Sequence, residues 1–394
     1  MTFHLWNSTK NAFIIFGVVL TGMQIVQLSI SLPKNHYSTD ELIESFPCKL
    51  PDAVRQNVLN LGVTKRHLIN QPKSTTQTET IINESSLVEL CLESCENALA
   101  EAKIRTGEIG YFVTSHDASP FLSPSLSSLL VRELGFSPYV KHVNVQGAAS
   151  IAFPKTLEVA ENYLAARPEE TVLICVSGVN SYWFQNQVQN MNGVMEIERI
   201  NAIRDETTRQ SELRKWVATM QFFLFGDGVA AAVVSSKEEG LAVKKIVEVT
   251  NLRNQDYLAG YARLSVLNEP FRFGFHSHLG KEIPKLGAEY SSVALRKLFG
   301  KNLEQAMKSA KKWAVHTGSE KILNVMAEHH GIEREKLLES QNVLRECGNL
   351  AGASLPFILE RIVSANRFSK GDMILMLGYG WGFTASAGIL QFST

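Results

Sequence analysis

The sequence predicts an α/β fold with mainly parallel or mixed sheets. Apolar runs of strand length, Thr171–Ser177 (TVLICVS) and Gly226-Asp-Gly-Val-Ala-Ala-Ala-Val-Val234, are bounded by polar or glycine residues, as strands covered on both faces require. Segments of helical periodicity alternate with such runs in both parts of the chain. At 394 residues there is room for one large domain or two fused halves of ordinary size.

Taken in order, Ile25–Leu32 (IVQLSISL) alternates apolar and polar residues and ends at Pro33, the pattern of a half-buried first strand. Ser38-Thr-Asp-Glu reads as a capped helix start. Leu87–Ala102 predicts a helix, and Gly110–Ser115 a strand leading into the Ser/Pro-rich loop His116–Ser125. Helix Ser125–Leu134, strand Tyr139–Val145 and helix Pro154–Ala166 follow. The small, charged segment Ser235–Gly240 (SSKEEG) marks a boundary, after which the vocabulary repeats. Helix Ala288–Phe299, strand Trp313–His316, helices Glu320–His329 and Ala353–Ala365, and strands Met373–Leu377 and Thr384–Phe392 complete the chain. The expected layout is an apolar extension over 1–22, a first half over 23–236 and a second over 241–394.

Residues Ala12–Met23 are apolar but shorter than the roughly 20 residues a bilayer span takes. Extending the run to Leu32 takes in Gln24, Gln27, Ser29 and Ser31. The expectation is therefore a cytoplasmic protein, with membrane association through residues 1–22 as the less favoured alternative. Lys plus Arg equals Asp plus Glu at 39 each, so bulk charge gives no support for a nucleic-acid partner. Five scattered cysteines without a CxxC suggest buried free thiols in a reducing compartment. Cys91 and Cys95, four apart, share one helix face, but no further ligands make a metal site.

Ser150 follows an apolar strand and the small residues Gly147, Ala148 and Ala149, and precedes a helix. A nucleophile on such a turn is exposed at a sheet end, with helix N-terminal N–H groups available to an oxyanion. A serine there is also an ordinary N-cap. His316 ends an apolar strand, and Asn349 lies in Cys-Gly-Asn-Leu-Ala-Gly. Alone, they read as a core histidine and a turn residue. Gly378-Tyr-Gly-Trp-Gly-Phe383 alternates glycines between two strands, either as a tight bend or where backbone nears a substrate.

Together these segments resemble the thiolase-like superfamily, specifically ketosynthase III and the type III polyketide synthases. The resemblance runs from about Ile25 to the C-terminus and rests on five motifs in order. They are Gly-Val-Thr-Lys-Arg-His67, Leu224-Phe-Gly-Asp-Gly-Val-Ala-Ala-Ala-Val-Val234, Val315-His-Thr-Gly-Ser-Glu-Lys-Ile-Leu323, Gly348-Asn-Leu-Ala-Gly-Ala-Ser354 and Gly378-Tyr-Gly-Trp-Gly-Phe-Thr384. It implies a five-layered αβαβα fold made of two similar halves, and a homodimer or a heterodimer with a related ketosynthase. It also implies acyl-CoA or acyl-carrier-protein thioesters as substrates, no permanently bound cofactor and no metal.

The family's nucleophile is a cysteine. Matching Gln146-Gly147 to the Gln-Gly of plant-type enzymes puts Ala148 there, with a two-residue gap before Val172. Placing Ser150 there needs no gap, and Phe153, Leu157, Asn162-Tyr163 and Val172 fall at family-like intervals, so Ser150 is preferred. By resemblance His316 and Asn349 complete a Ser-His-Asn set that binds a malonyl-type thioester carbonyl and stabilises the enolate formed as CO₂ leaves. Gly378, Gly380 and Gly382 would line the oxyanion site, and Lys65 with Arg66 would position coenzyme A phosphates. Phe222, Phe223, Trp216, Phe275 and Trp381 read as core or as the lining of an acyl tunnel. Trp381 stands where many polyketide synthases carry proline.

The serine bears on acyl loading, because a hydroxyl needs a general base and its ester is a poorer acyl donor than a thioester. Three readings stay open at this point: a serine-type condensing acyltransferase, an engineered cysteine-to-serine exchange, and a non-catalytic partner of an active ketosynthase. Acyl transfer to an oxygen or nitrogen nucleophile, without carbon–carbon bond formation, is the enzymatic alternative.

Overall fold

The structure, a computed structural model, describes residues 22–70, 84–116, 123–266 and 273–393. Residues 1–21, the bulk of the apolar extension, lie outside that range, as do 117–122 of the Ser/Pro-rich loop. Among the described residues no helix is long and apolar enough to cross a membrane.

Among the described residues there are thirteen strands: β1 (Gln24–Ser31), β2 (His36–Ser38), β3 (Lys65–His67), β4 (Ile109–His116), β5 (Lys141–Gln146), β6 (Thr171–Ser177), β7 (Val229–Ser235), β8 (Leu241–Thr250), β9 (Gly260–Val266), β10 (Phe273–Leu279), β11 (Lys312–Val315), β12 (Met373–Gly380) and β13 (Thr384–Phe392). Nine of them form one sheet in the order β11-β12-β13-β8-β1-β7-β6-β4-β5. Its two parts meet along a short seam between β1 and β8, where Gln24 pairs with Ala242 and Ile25 with Leu241, and the Val243 N–H donates to the Met23 carbonyl at 2.9 Å.

On either side of that seam the strand directions repeat. β4 runs parallel to β6, β6 antiparallel to β7, and β7 antiparallel to β1. Equally, β11 runs parallel to β12, β12 antiparallel to β13, and β13 antiparallel to β8. The buried clusters then give five layers. Helices Glu84–Ala102 and Leu126–Glu133 cover one face of the first half-sheet through Leu87, Cys91, Cys95, Leu126 and Leu130. Helices Ala152–Ala166 and Ser354–Ala365 lie between the half-sheets, touching Ile174, Ala230 and Ala232 on one and Ala314, Ile374 and Met376 on the other. Helices Ile283–Phe299 and Glu320–His330 cover the far face of the second half-sheet.

This layering explains the apolar runs. β6 and β7 are central strands with helices on both sides, so nearly every residue is buried. Ala230 and Ala232 keep the central helices close to the sheet, while Ala231 between them faces the outer helix. The predicted cap is present as well: the Ser38 hydroxyl accepts from the Glu41 N–H and the Glu41 carboxylate accepts from the Ser38 N–H.

Candidate active site

The two central helices are entered through matching turns. A short 3₁₀ turn at Ala149–Ile151 precedes helix Ala152–Ala166, and another at Ala351–Ala353 precedes helix Ser354–Ala365. Each begins on a left-handed alanine, Ala149 at φ 45° and Ala351 at φ 47°. An L-residue held there costs about 1–2 kcal/mol, so the surrounding packing must impose it. The two turns face one another. A Cβ on Gly352 would lie 2.7 Å from the Ala152 Cβ and 3.1 Å from the Ala149 carbonyl oxygen. Glycine is what lets Ser150's turn and Asn349's turn meet.

Strand β12 reaches both remaining parts. The Leu377 carbonyl accepts from the His316 backbone N–H at 2.9 Å. On the next residue, a Cβ on Gly378 would sit 3.3 Å from the Ser150 carbonyl oxygen, and one on Gly380 3.2 Å from the Ser150 nitrogen. Ser354 ties His316 to Asn349: its hydroxyl accepts from the Thr317 hydroxyl and from the Leu350 N–H, each at 3.1 Å. The fold thus brings Ser150, His316 and Asn349 to one place, at the N-terminal ends of the central helices.

All three side chains are nearly enclosed, Ser150 at 9% exposure, His316 at 3% and Asn349 at 5%. Burial drives the His316 pKa down to about 3, so the imidazole is neutral near pH 7. Its Nδ1 has no protein partner, which leaves that nitrogen for a ligand. Its carbonyl accepts from the Gly318 N–H and the Tyr379 hydroxyl, both at 3.1 Å, and Tyr379 meets its ring edge-on at 5.6 Å between centroids. Asn349 Oδ1 accepts from the Ala351 N–H at 2.8 Å, an arrangement that turns the NH₂ group outward as a donor.

Two expectations need correction. Arg66 cannot meet coenzyme A phosphates at the surface, because it is fully buried: it donates to the Thr39 hydroxyl at 2.8 Å and to the Phe222 carbonyl at 3.4 Å. Its role is to hold the β2–β3 hairpin against the helix ending at Leu224. Only Lys65 of that pair is partly exposed. Nor does Gly382 show the close approach to the Ser150 turn that Gly378 and Gly380 do. It is exposed at φ 101°, with nothing within 4 Å of a Cβ, and serves the reversal between β12 and β13.

Of the candidate tunnel aromatics, Phe222 and Phe223 are core residues packed on Phe46. Trp216 is half-buried, and Trp381 packs against Gly260. The side chain of Phe275 lies outside what the structure describes. Phe225, stacked on Phe184 at 4.6 Å, pairs with Asn349 through an isolated bridge, which places its backbone beside the site.

Sequence reasoning also missed Asp227. Its buried carboxylate accepts from the backbone N–H groups of Ile69, Asn180 and Ser181, each at 2.9 Å, and from the Ser181 hydroxyl. It clasps the segments after β3 and β6 beside the Asn349 turn, where Gly226 donates to the Asn349 carbonyl at 3.2 Å. The signal was the pair of glycines flanking it, because an acid between glycines in an apolar run needs buried donors.

The C-terminal region, residues 305–392, matches the family profile "3-Oxoacyl-[acyl-carrier-protein (ACP)] synthase III C terminal", which takes in His316, Asn349 and Gly378–Gly382. Over nearly its whole length the chain is similar to a 3,5-dihydroxyphenylacetyl-CoA synthase of Amycolatopsis balhimycina, 25% identical over 390 residues, 95% of each chain. The 1,3,6,8-tetrahydroxynaphthalene synthase of Streptomyces coelicolor, a bacterial type III polyketide synthase, superposes with a TM-score of 0.75 at 19% identity, over 94% of this chain and 99% of that one. The chain is a thiolase-like homologue of the type III polyketide synthases. A cysteine-to-serine variant of Xanthomonas campestris OleA, solved with lauric acid and lauroyl-CoA, has the same fold, with a TM-score of 0.67 at 18% identity over 95% and 100% of the two chains. The relatives of this thiolase-like chain are condensing enzymes.

Among its own described residues, no group of three or more His, Cys, Asp or Glu side chains is placed to hold a metal ion.

Proposed function

We propose that the thiolase-like chain condenses acyl thioesters decarboxylatively, taking the first acyl group on Ser150 and the second unit from a malonyl- or β-ketoacyl-type thioester. The observation that carries this reading is the single strand β12 meeting His316 through Leu377 and Ser150 through Gly380, with Asn349 on the turn packed opposite. In this reading the donors on these three neighbouring segments act on one bound thioester.

The electrostatics favour a division of labour. A neutral His316 and the Asn349 NH₂ are donors suited to the thioester oxygen on which negative charge develops as the carboxylate leaves as CO₂. That step needs no proton uptake by His316. Acylation of Ser150 is different, because it asks His316 to take a proton where burial disfavours imidazolium. Enolate formation is therefore the strong half-reaction of this site and serine loading the slow one. The acyl-CoA bound by the OleA variant supports coenzyme A thioesters as the donor class. Lys65 is the residue of the former basic pair left for a phosphate contact.

Intact-mass measurement after incubation with acyl-CoA tests the loading step. We expect a single acyl adduct that Ser150→Ala removes and Ser150→Cys accelerates. An adduct persisting in Ser150→Ala would move the nucleophile elsewhere. No adduct with any donor, even in Ser150→Cys, would favour a non-catalytic partner subunit.

A further inference from the structure

Three of the five cysteines meet in the first half, away from the catalytic turn. Cys91 and Cys95 lie one turn apart on helix Glu84–Ala102, and Cys175 lies on β6 beneath it. All three are fully buried in the same cluster. The helix face is made of small residues at helical spacing, Cys91, Ser94, Cys95 and Ala98, each fully buried. Ser94 measures how closely that face lies: its hydroxyl reaches the sheet backbone, at 3.1 Å from the Ser29 carbonyl and 3.4 Å from that of Val229. The strand neighbours of Cys175 are Thr114 and Ala231, neither bulky enough to hold the helix away. Helix Glu84–Ala102 packs against β6 as well as β1 and β7, which sets Cys175 under that face in one buried cluster with Cys91 and Cys95.

We propose that Cys91, Cys95 and Cys175 form an oxidation site, in which Cys175 closes a reversible disulfide with either helix cysteine. The oxidant class is a small peroxide. The Cys175 thiolate attacks the O–O bond, its sulfur becomes S–OH, and hydroxide leaves. The Cys91 or Cys95 sulfur then attacks, the S–S bond forms, the S–O bond breaks, and water departs. In sum, two thiols and hydrogen peroxide give one disulfide and two waters, and the two electrons pass to the peroxide. Cys175 lies under the helix face that carries both other thiols, so it is the sulfur common to either crosslink; the two thiols beside it also lower its pKa while raising those of Cys91 and Cys95.

The position gives the bond a consequence. Three residues beyond Cys175, Gly178 packs so tightly on the Asn349 turn that a Cβ would lie 2.0 Å from the Leu350 carbonyl oxygen. A crosslink at Cys175 therefore ties the outer helix to the strand that buttresses the active centre. Ser150, a hydroxyl, is no substrate for peroxide, so the nucleophile position is spared by an oxidant that acts on the core thiols. The inference stands independently of the condensation reading.

The test uses the full chain, reduced and desalted, then treated with hydrogen peroxide, quenched, alkylated under denaturing conditions and mapped by mass spectrometry. We expect two of the five thiols to escape alkylation, to be recovered by dithiothreitol, and to appear as a crosslink from Cys175 to Cys91 or Cys95. Cys91→Ala and Cys95→Ala should each retain a crosslink through the remaining helix thiol. Cys175→Ala and the double helix variant should lose it, and the double variant decides if Cys175→Ala does not fold. Five alkylated thiols after peroxide would overturn the proposal. So would a crosslink through Cys48 or Cys347, or irreversible oxygen addition to Cys175.

Discussion

Gly380→Ala puts a methyl group at the proposed oxyanion site. The added carbon would lie 3.2 Å from the Ser150 nitrogen, 3.4 Å from its Cβ and 3.5 Å from the Ala149 Cβ. Gly380 is not among the glycines in left-handed backbone, so the change introduces contact rather than conformational strain. At 3.2 Å the neighbour has to yield by a few tenths of an ångström, and the Ser150 N–H is covered by carbon. Losing one such donor costs about 2.7–4 kcal/mol of transition-state stabilisation, roughly 10²–10³ in rate. Partial relaxation of β12 brings the expectation to about 100-fold. The stability loss should be about 1–2 kcal/mol, the ordinary effect of one extra methylene in a packed site. The assay is the rate of acyl-adduct formation from acyl-CoA by rapid quench and intact mass, with thermal unfolding in parallel. Gly382→Ala is the control, being strained by its φ of 101° but touching nothing within 4 Å. Gly380→Ala acylating at the unmodified rate would refute the placement of the oxyanion site.

Other outcomes follow from the same geometry. Asp227→Asn turns one acceptor oxygen into a donor, facing either the Ile69 N–H and the Ser181 hydroxyl or the N–H groups of Asn180 and Ser181, and should lower stability by about 2–4 kcal/mol in urea unfolding; an unchanged midpoint would mean the clasp is dispensable. Acid should destabilise the fold well above the carboxylate range. His316 and His116 have folded pKa values driven by burial to about 3 and about 4, against 6.5 unfolded, so below pH 6.5 the unfolded chain binds more protons. At pH 5 each contributes about 2 kcal/mol of destabilisation, a loss absent above pH 6.5 and growing as pH falls. Urea unfolding at pH 8 and pH 5 measures it, and equal stabilities would contradict the burial of both neutral rings.

Much of the fold was legible because burial on two faces writes an unbroken apolar run. The strands at Thr171–Ser177 and Thr384–Phe392 coincide with their predicted bounds. β8 was missed because Lys244, Lys245 and Glu248 interrupt its pattern where it turns toward solvent. Helix Glu206–Leu224 was missed for the opposite reason: its first half is charged, while residues 217–224 are buried on every side, so neither half shows a stripe. At the site, Ser150, His316 and Asn349 were identifiable only as a set, since each alone has an ordinary structural explanation. Arg66 was misread because a basic pair next to a turn looks exposed in sequence. Only the fold reveals that Thr39, Phe222 and Gly226 enclose it. The one-face placement of Cys91 and Cys95 was readable from their spacing, but Cys175 joins them through strand packing that no local pattern encodes.

The central claim is that His316 and Asn349 stabilise an enolate independently of what Ser150 can do. CO₂ release from malonyl-CoA tests it most directly. The expected result is release by the unmodified chain and by Ser150→Ala, with a loss of about 100-fold or more in His316→Ala and in Asn349→Ala. Release that survives His316→Ala, or that disappears with Ser150→Ala alone, would contradict it.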